Sequence, residues 1–554
     1  MSVLVNTDSY KLSHKGFMDE GTEVIYSNFT ARSDKHLPIL KDVYDHKAVF
    51  FGLQYFVKDY LINEWNDTFF SLPKEKVISK FKRVIDAYLG PDAVSMEHFE
   101  MLHDLGYLPI EIKALPEGSR VNIKVPMLTI KNTDKRFAWL TNYLETVMSC
   151  ELWKPITTAT IIAEYRKLVN QYALKTTGSV EGTMFQLHGF EFRGMSGRKD
   201  AAINGAAFVL SSCGTDTIPA LPLLEEFYNA DVTKEFIAAS VPASEHSIAC
   251  LGTAVKGELE SYRKWITVDY PTGIVSLVSD TYDYFKVLYE YMPALKADIL
   301  ARPVNAIGLS KVVIRPDSGN PADIICGTGV VTKYDPSLFT FSHVSKCCQN
   351  RSEFLKPVYF EYDGKYYKSE TKTFSGSHEE YEQTTEVSVA EIAPIKGSVE
   401  LLWEVFGGTV TEQGFKVLDS HIGIIYGDSI TLEVAQEVFK RLEAKGFAST
   451  NVVFGVGSYT MQYLTRDSLG MAVKATYAEV NGVGYELYKD PITDSGMKKS
   501  AKGLLRVEEI NGDFVLFDQQ TKEQEQKGVL ETVFKDGKIV KETSLTEIRN
   551  RLWG

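Results

Sequence analysis

The sequence predicts an α/β barrel joined to a second, mixed and strand-rich domain formed from both chain ends, with a β-rich lobe inserted into the barrel. Three observations predict it. Short apolar runs stop five times at small or acidic residues, helical stretches follow several of those runs, and Asn-Gly and Asp-Gly hairpin signals mark the tail. The chain has 554 residues, more than one hydrophobic core usually serves, so at least two domains are expected.

Taken in order, the first 150 residues mix helix-like stretches with short strands such as LPIEIKAL (108–115). The run FVLSSCGTDT (208–217) reads as a strand ending in Gly214, Thr215 and Asp216. In GIVSLVSDTYD (273–283), Ile274, Val275, Leu277 and Val278 lead to Ser279 and Asp280, and Tyr282, Phe285, Leu288 and Tyr289 then repeat at helical spacing. KVVIRPDSGNP (311–321) is a β-branched run that ends in Arg315 and Asp317. IGIIYGDSIT (422–431) ends in Gly427, Asp428 and Ser429, with Ser429 a possible helix cap. Leu432, Ala435, Val438, Phe439 and Leu442 follow at helical spacing, Gly446 is a stop, and NVVFGVGSYT (451–460) begins the next strand, so 422–454 reads as a β-α-β unit.

The region from about 327 to 400 breaks this rhythm and carries an Asp-Gly signal in PVYFEYDGKYYKSE (357–370). Asn511-Gly512 and Asp536-Gly537 predict two further hairpins. The expected division is 1–150 with 480–554 as the mixed domain, 151–326 with 400–479 as the barrel, and 327–399 as the inserted lobe.

Composition narrows the function. The chain is 44% hydrophobic and 24% charged, which argues for a globular protein. A net charge of −13 disfavours a general nucleic-acid binder, whose phosphate backbone seeks basic surfaces, but leaves room for a local cationic site. Six cysteines form no CxxC pair, the start turns polar after five residues, and no apolar run is long enough to span a bilayer. A reduced, cytoplasmic protein with no membrane partner is expected.

In parallel α/β sheets ligands bind at the carboxyl ends of the strands, which is where Asp216, Asp280, Arg315, Asp428 and the glycine-rich turn of 451–460 fall, with Asp317 two residues beyond Arg315. Any one of these segments is more readily a polar residue in an exposed loop; five segments at one structural position favour a shared site. The chain has no GxxxxGK[ST] loop and no GxGxxG fingerprint. The turn FGVGS, with Gly457 and Ser458, could hold a phosphate on its N–H groups or could simply be tight. Phe190 and Phe192 flank Arg193, offering a ring and a charge, with core packing as the alternative. His246 lies in the polar run SVPASEHS. Arg466, Lys474, Lys489, Lys498, Lys499 and Lys502 gather late, as a solvated face or as a pyrophosphate-binding rim.

Read together, NTDSYKLSH, FFGLQY, LPIEIKALPEG, FRGMS, GTDT, SVPASEHS, VSDTYD, IRPDSGNP, YGDS, LTRD and YKDP stand in the order found in the nicotinamide phosphoribosyltransferases. The chain resembles that family, and hence the type II phosphoribosyltransferase barrel, over nearly its whole length outside 327–400. The resemblance implies synthesis of nicotinamide mononucleotide and pyrophosphate from nicotinamide and phosphoribosyl pyrophosphate, with Mg²⁺ carried on the pyrophosphate. It implies a homodimer with shared sites and ATP as a stimulating co-substrate that phosphorylates His246, with Asp280 as the partner of that histidine.

The resemblance also assigns roles. Phe190 would stack on the pyridine, with Tyr10 and Asp8 supplied from the other subunit, and Asp216 would accept a hydrogen bond from the carboxamide. Arg193 and Arg315 would lie near the substrate, with Asp317, Gly427 and Asp428 at the ribose. Gly457 and Ser458 would receive the 5′-phosphate, while Arg32, Arg466, Lys474 and Lys489 would face phosphate and pyrophosphate. Ser458 stands where a glycine is more familiar, Ala472 replaces a serine, Gly189 an aspartate, and Ser429 a glycine. Nicotinate phosphoribosyltransfer is the nearest rival, and a catalytically weak binding protein on the same scaffold is a second. Asp216 speaks against the first, because an ionised carboxylate repels nicotinate.

Overall fold

A computed structural model describes residues 2–328, 331–333, 358–362, 365–373, 380–427, 430–489 and 501–554. The chain divides into two units. The first comprises 1–166, 191–238 and 458–554, and the second comprises 167–190 and 239–457.

The first unit is built on a seven-stranded sheet. Its order is Val483–Glu486, Ala472–Val480, Thr22–Thr30, Pro126–Asn132, Ile110–Ala114, Glu531–Lys535 and Lys538–Ile539, paired antiparallel. Both chain ends thus contribute to one sheet. The strand Ala472–Val480, expected in the barrel, belongs here because it pairs with Thr22–Thr30. Strand Pro126–Asn132 is buried at nearly every position, as a central strand covered on both faces must be. The two tail hairpins form as expected: Asn511 and Gly512, and Asp536 and Gly537, all take positive φ, the geometry a two-residue hairpin turn requires.

A 40-residue helix, Ala138–Thr177, begins in this unit. Pro155 lies inside it, and its ring abuts Gly52, where a Cβ would sit 3.0 Å from the proline Cγ. Gly52 also has φ of +104°, so glycine is required there twice over.

The second unit holds a parallel sheet in the order Leu187–Gly189, Val452–Val456, Ile422–Tyr426, Ser310–Arg315 and Gly273–Val278. Helices between the strands cover it, which explains why Ile422–Tyr426 is buried throughout. The β-α-β unit is present. Helix Leu432–Ala444 buries Leu432, Ala435, Val438, Phe439 and Leu442, and Gly446 follows it with φ of +74°. Its cap is Thr431, whose hydroxyl accepts from the Val434 N–H; Ser429 and Asp428 lie outside the described residues.

Within the expected lobe, Val331–Lys333, Val358–Tyr362, Lys365–Thr373 and Glu380–Glu386 form a four-stranded sheet. The Asp-Gly turn itself falls outside the described residues, although its flanking strands pair antiparallel. One expected strand is corrected. Phe208 and Val209 end the helix Arg198–Val209, and only Gly214–Thr215 is extended. Ala201, Ala206 and Ala207 favour the helix, which overrides the short apolar run at its end. Among the described residues no helix is long and apolar enough to cross a membrane.

Candidate active site

In the second unit the parallel register brings several strand ends to one side. Strand Gly273–Val278 delivers Asp280, and Ser310–Arg315 delivers Arg315 and Asp317. The segment before helix His246–Lys256 is pinned to the first of these: Ser244 N–H donates to Ser276 O at 3.0 Å, and Ser244 Oγ accepts from Val278 N–H at 2.9 Å. His246 therefore stands beside Asp280 and Asp317.

His246 Nε2 lies 3.2 Å from Asp280 Oδ1, and Nδ1 lies 3.8 Å from Asp317 Oδ2. The other Asp280 oxygen accepts from the Asp317 N–H at 2.8 Å and from Ser318 Oγ at 2.6 Å. Burial works to raise the Asp280 carboxyl pKa, but those hydrogen bonds and His246 outweigh it and hold it below the ordinary value. Asp317 is raised, by burial first and then by the negative charge of Asp280, with His246 and Arg315 opposing. Asp280 is thus the fixed anion, and Asp317, with a side chain 40% exposed, faces solvent.

This arrangement constrains the imidazole. In the tautomer that places the ring proton on Nε2 for Asp280, Nδ1 keeps its lone pair and turns toward Asp317. Arg315 donates to the Ser244 carbonyl, which orients its guanidinium beside the cluster. Gly427 lies close by: a Cβ there would be 3.3 Å from Asp317 Cβ and 3.7 Å from Arg315. Phe190 is fixed by its N–H, which donates to Val456 O at 2.9 Å, and its ring lies over Gly455, where a Cβ would come within 2.6 Å of it.

The first unit contains a separate cationic cluster. Lys11 is buried and pairs with Glu145, and Lys474 lies 3.8 Å from the same carboxylate. Burial lowers the Lys474 pKa, the charges of Arg32, Lys11 and Arg466 lower it further, and Glu145 offsets them in part. Four cations gather here against the carboxylates of Glu145, of Asp467, 3.7 Å from Arg466, and of the bordering Asp8, so one positive charge is left over for an anion to relieve. Arg32 is oriented by Nε donating to Gly470 O at 2.8 Å.

Tyr10 and Asp8 border this cluster. Tyr10 Oη reaches Asp8 Oδ2 at 3.4 Å, Asp8 Oδ2 also accepts from Thr146 Oγ1 at 2.7 Å, and the Lys11 ammonium stands 5.3 Å from the Tyr10 ring centroid. Lys489 is exposed in the loop beyond strand Val483–Glu486. Arg193 lies in the exposed turn Phe192–Gly194, and Asp216 is exposed after Gly214–Thr215. Ser458 opens the short helix Ser458–Gln462.

Sequence reasoning missed Lys11, Glu145, Ser244 and Ser318. Lys11 sits in the NTDSYK run beside Tyr10, and its neighbourhood to the quoted residues was the available signal. Ser244 and Ser318 act through contacts that no local pattern encodes.

The family model described as the nicotinate phosphoribosyltransferase (NAPRTase) family matches residues 185–538, and one for the nicotinamide phosphoribosyltransferase N-terminal domain matches residues 2–112. A protein named nicotinamide phosphoribosyltransferase from Acinetobacter baylyi is 50% identical over 545 residues, 98% of this chain and 96% of its own. One of the same name from Xanthomonas campestris is 30% identical, covering 99% of this chain and 97% of its own. The solved structure of human nicotinic acid phosphoribosyltransferase covers 100% of this chain and 93% of its own, at 13% identity and a TM-score of 0.46.

Proposed function

The chain belongs to the nicotinate phosphoribosyltransferase (NAPRTase) family, and we propose that it transfers the phosphoribosyl group of phosphoribosyl pyrophosphate to nicotinamide, giving nicotinamide mononucleotide and pyrophosphate in NAD salvage. The observation that carries this reading is the cationic cluster of Lys11, Arg32, Arg466 and Lys474, whose crowding favours a polyanionic substrate. The near full-length likeness to relatives named for nicotinamide supports the choice of ring.

The chemistry suits the residues. The pyridine nitrogen attacks the anomeric carbon as pyrophosphate leaves, so positive charge develops on the ribose and negative charge on the leaving group. Asp317 stabilises the cationic sugar, and the cationic cluster stabilises pyrophosphate. The attacking nitrogen already bears its lone pair, so no base is required and positioning supplies much of the rate. Phe190 stacks on the ring, Asp216 accepts from its carboxamide, and the partner subunit's Tyr10 covers the other face in a homodimer.

Asp280, Asp317 and His246 bring ligand atoms within 4.8 Å of one another. The two carboxylates fit one or two contacts to Mg²⁺, which takes oxygen ligands and keeps most of its shell from phosphate and water. When bound, Mg²⁺ neutralises charge on pyrophosphate. ATP would pass its γ-phosphoryl group to His246 Nδ1, the nitrogen facing away from Asp280, with ADP leaving as the bond from the γ-phosphorus to the bridging oxygen breaks, which would raise affinity and drive the reaction forward. The free thiols of Cys150, Cys213, Cys250 and Cys326 suit a reducing, cytoplasmic setting.

The test offers nicotinamide and nicotinate in parallel with phosphoribosyl pyrophosphate and Mg²⁺, each with and without ATP. Product from nicotinamide, increased by ATP, is expected. Product mainly from nicotinate would overturn the ring assignment, and no product from either would leave a binding protein on the same scaffold.

A further inference from the structure

A polar network in the first unit includes none of the site residues described so far. Lys154, on the helix Ala138–Thr177, is 8% exposed. Its ammonium donates to Asp200 Oδ2 at 2.7 Å and to Gln462 Oε1 at 2.9 Å. Asp200 Oδ2 also accepts the Ser196 N–H at 2.9 Å, and Oδ1 accepts from Asn204 Nδ2 at 2.8 Å. One turn along the same two helices, Thr158 Oγ1 donates to Asn204 Oδ1 at 2.7 Å. Two rungs at i, i+4 spacing therefore tie helix Ala138–Thr177 to helix Arg198–Val209.

Gln462 turns this tie toward the candidate site. Its Nε2 donates to Gly194 O at 2.8 Å and to Ser196 Oγ at 3.1 Å. Gly194 follows Arg193, and a Cβ on it would fall 2.0 Å from Ser458 Oγ. The turn carrying Arg193 is thus pressed against Ser458, the first residue of helix Ser458–Gln462, with no room for a side chain between them. The space that glycine leaves at 194 is filled by the Ser458 hydroxymethyl. The two turns border one network, and among the described residues its cation is Lys154.

We propose that Lys154 is a positioning residue that, through Asp200 and Gln462, fixes the 192–197 turn and Ser458 in the arrangement that receives the phosphate of phosphoribosyl pyrophosphate. This rests on the phosphoribosyltransferase reading above. A methylene-and-ammonium side chain is suited to the task, because it reaches two acceptors on different helices at once. A hydrogen-bonded buried network has one low-energy arrangement, and a displacement near 1 Å is enough to cost on the order of a hundredfold in an oriented reaction. Neither Lys154 nor Asp200 is assigned a contact with substrate.

The experiment compares the full-length enzyme with Lys154→Met, Lys154→Arg and Gln462→Glu. In Gln462→Glu the acceptor for Lys154 and for the Ser196 hydroxyl persists, while the donor to Gly194 O is lost and a carboxylate faces that carbonyl, so this variant loosens the turn at Gly194 without removing the cation. Calorimetric binding of phosphoribosyl pyrophosphate with Mg²⁺, KM for each substrate, kcat and Tm are measured for all. Lys154→Met and Gln462→Glu are expected to weaken phosphoribosyl pyrophosphate binding about tenfold and to change the nicotinamide KM less than about threefold. Lys154→Arg should recover most of the binding. Binding within twofold of the parent in both variants, or a lower Tm with unchanged KM, would overturn the proposal and leave the network a structural tie. Should the parent bind phosphoribosyl pyrophosphate but not use nicotinamide, the ring assignment fails while the positioning comparison stands. A parent that binds no phosphoribosyl pyrophosphate overturns both.

Discussion

Asp216 is exposed in the turn after Gly214–Thr215, and exposure governs how far its charge can select a ring substituent. In water a carboxylate repels another only weakly, but once a bound ring excludes solvent the same pair is costly. The amide of nicotinamide instead offers it a donor. Asp216→Ser keeps a hydrogen-bonding group and removes the charge. It is expected to lower kcat/KM for nicotinamide about tenfold and raise that for nicotinate about tenfold. Steady-state kinetics with both rings decide it; an unchanged preference would mean that Asp216 does not meet the carboxamide. The same scale shows what sequence could reveal. Asp280, Arg315 and Asp317 were legible because each follows an apolar run directly, and a parallel sheet puts such positions together. Ser244, Ser318 and Lys11 were not, since Ser244 gains its place by lying alongside strand Gly273–Val278 and Lys11 by meeting Glu145, 134 residues away.

Elements add a constraint that no single motif announces. Glu117 is buried where the LPEG turn meets the start of FFGLQY. Its carboxylate accepts the N–H groups of Gly52 at 2.7 Å and Gln54 at 2.6 Å and the Tyr228 hydroxyl at 3.0 Å, while Arg551 donates to its carbonyl. Burial pushes its pKa up to about 7, against those hydrogen bonds and the Arg551 charge, which pull it down. The folded chain then holds a proton that the unfolded chain has released at an ordinary carboxylate pKa, so this group's contribution to stability falls as pH rises from about 4.5 through about 7. Glu117→Gln removes that titration but sets an amide N–H₂ against a backbone donor, and is expected to lower Tm by about 1–3 °C at pH 5. The gap from the parent should narrow by pH 8. Thermal melts from pH 5 to 8 measure it, and a gap independent of pH would show that Glu117 does not titrate there. Elements were read well where the signal was chemical, as at Asn511-Gly512 and Asp536-Gly537. They were misread at 208–217, where a helix end and a strand share the same apolar letters.

At the scale of the molecule, sequence pointed to a strand-rich domain made from both chain ends, because the tail hairpins and the early strands differ in pattern from the barrel. It put 472–480 on the wrong side of the division, since strand pairing with Thr22–Thr30 spans about 450 residues and leaves no local trace. The chain start also bears on assembly. Tyr10 is 57% exposed and Phe17 85% exposed, so two large rings near the N-terminus face solvent in the single chain. A ring assigned to cover a pyridine can do so from solvent if it reaches into a second copy, and a symmetric dimer would then hold two such sites. That geometry makes a quantitative claim. In such a dimer every site would take Tyr10 from one chain and Arg315 from the other, so Tyr10→Ala and Arg315→Ala should each cripple both sites of their own homodimers. Mixed at equal amounts and allowed to exchange, half of the dimers combine one chain of each kind. Each of those has one site with both substitutions and one with neither, so the mixture should regain about a quarter of the parent activity. Co-expression of the two variants with separate affinity tags, followed by isolation of the doubly tagged dimers, tests this directly, and that fraction, freed of both homodimers, should reach about half of the parent activity. Activity no greater than the mean of the two variants would place Tyr10 and Arg315 in the same chain's site and remove the need for sharing.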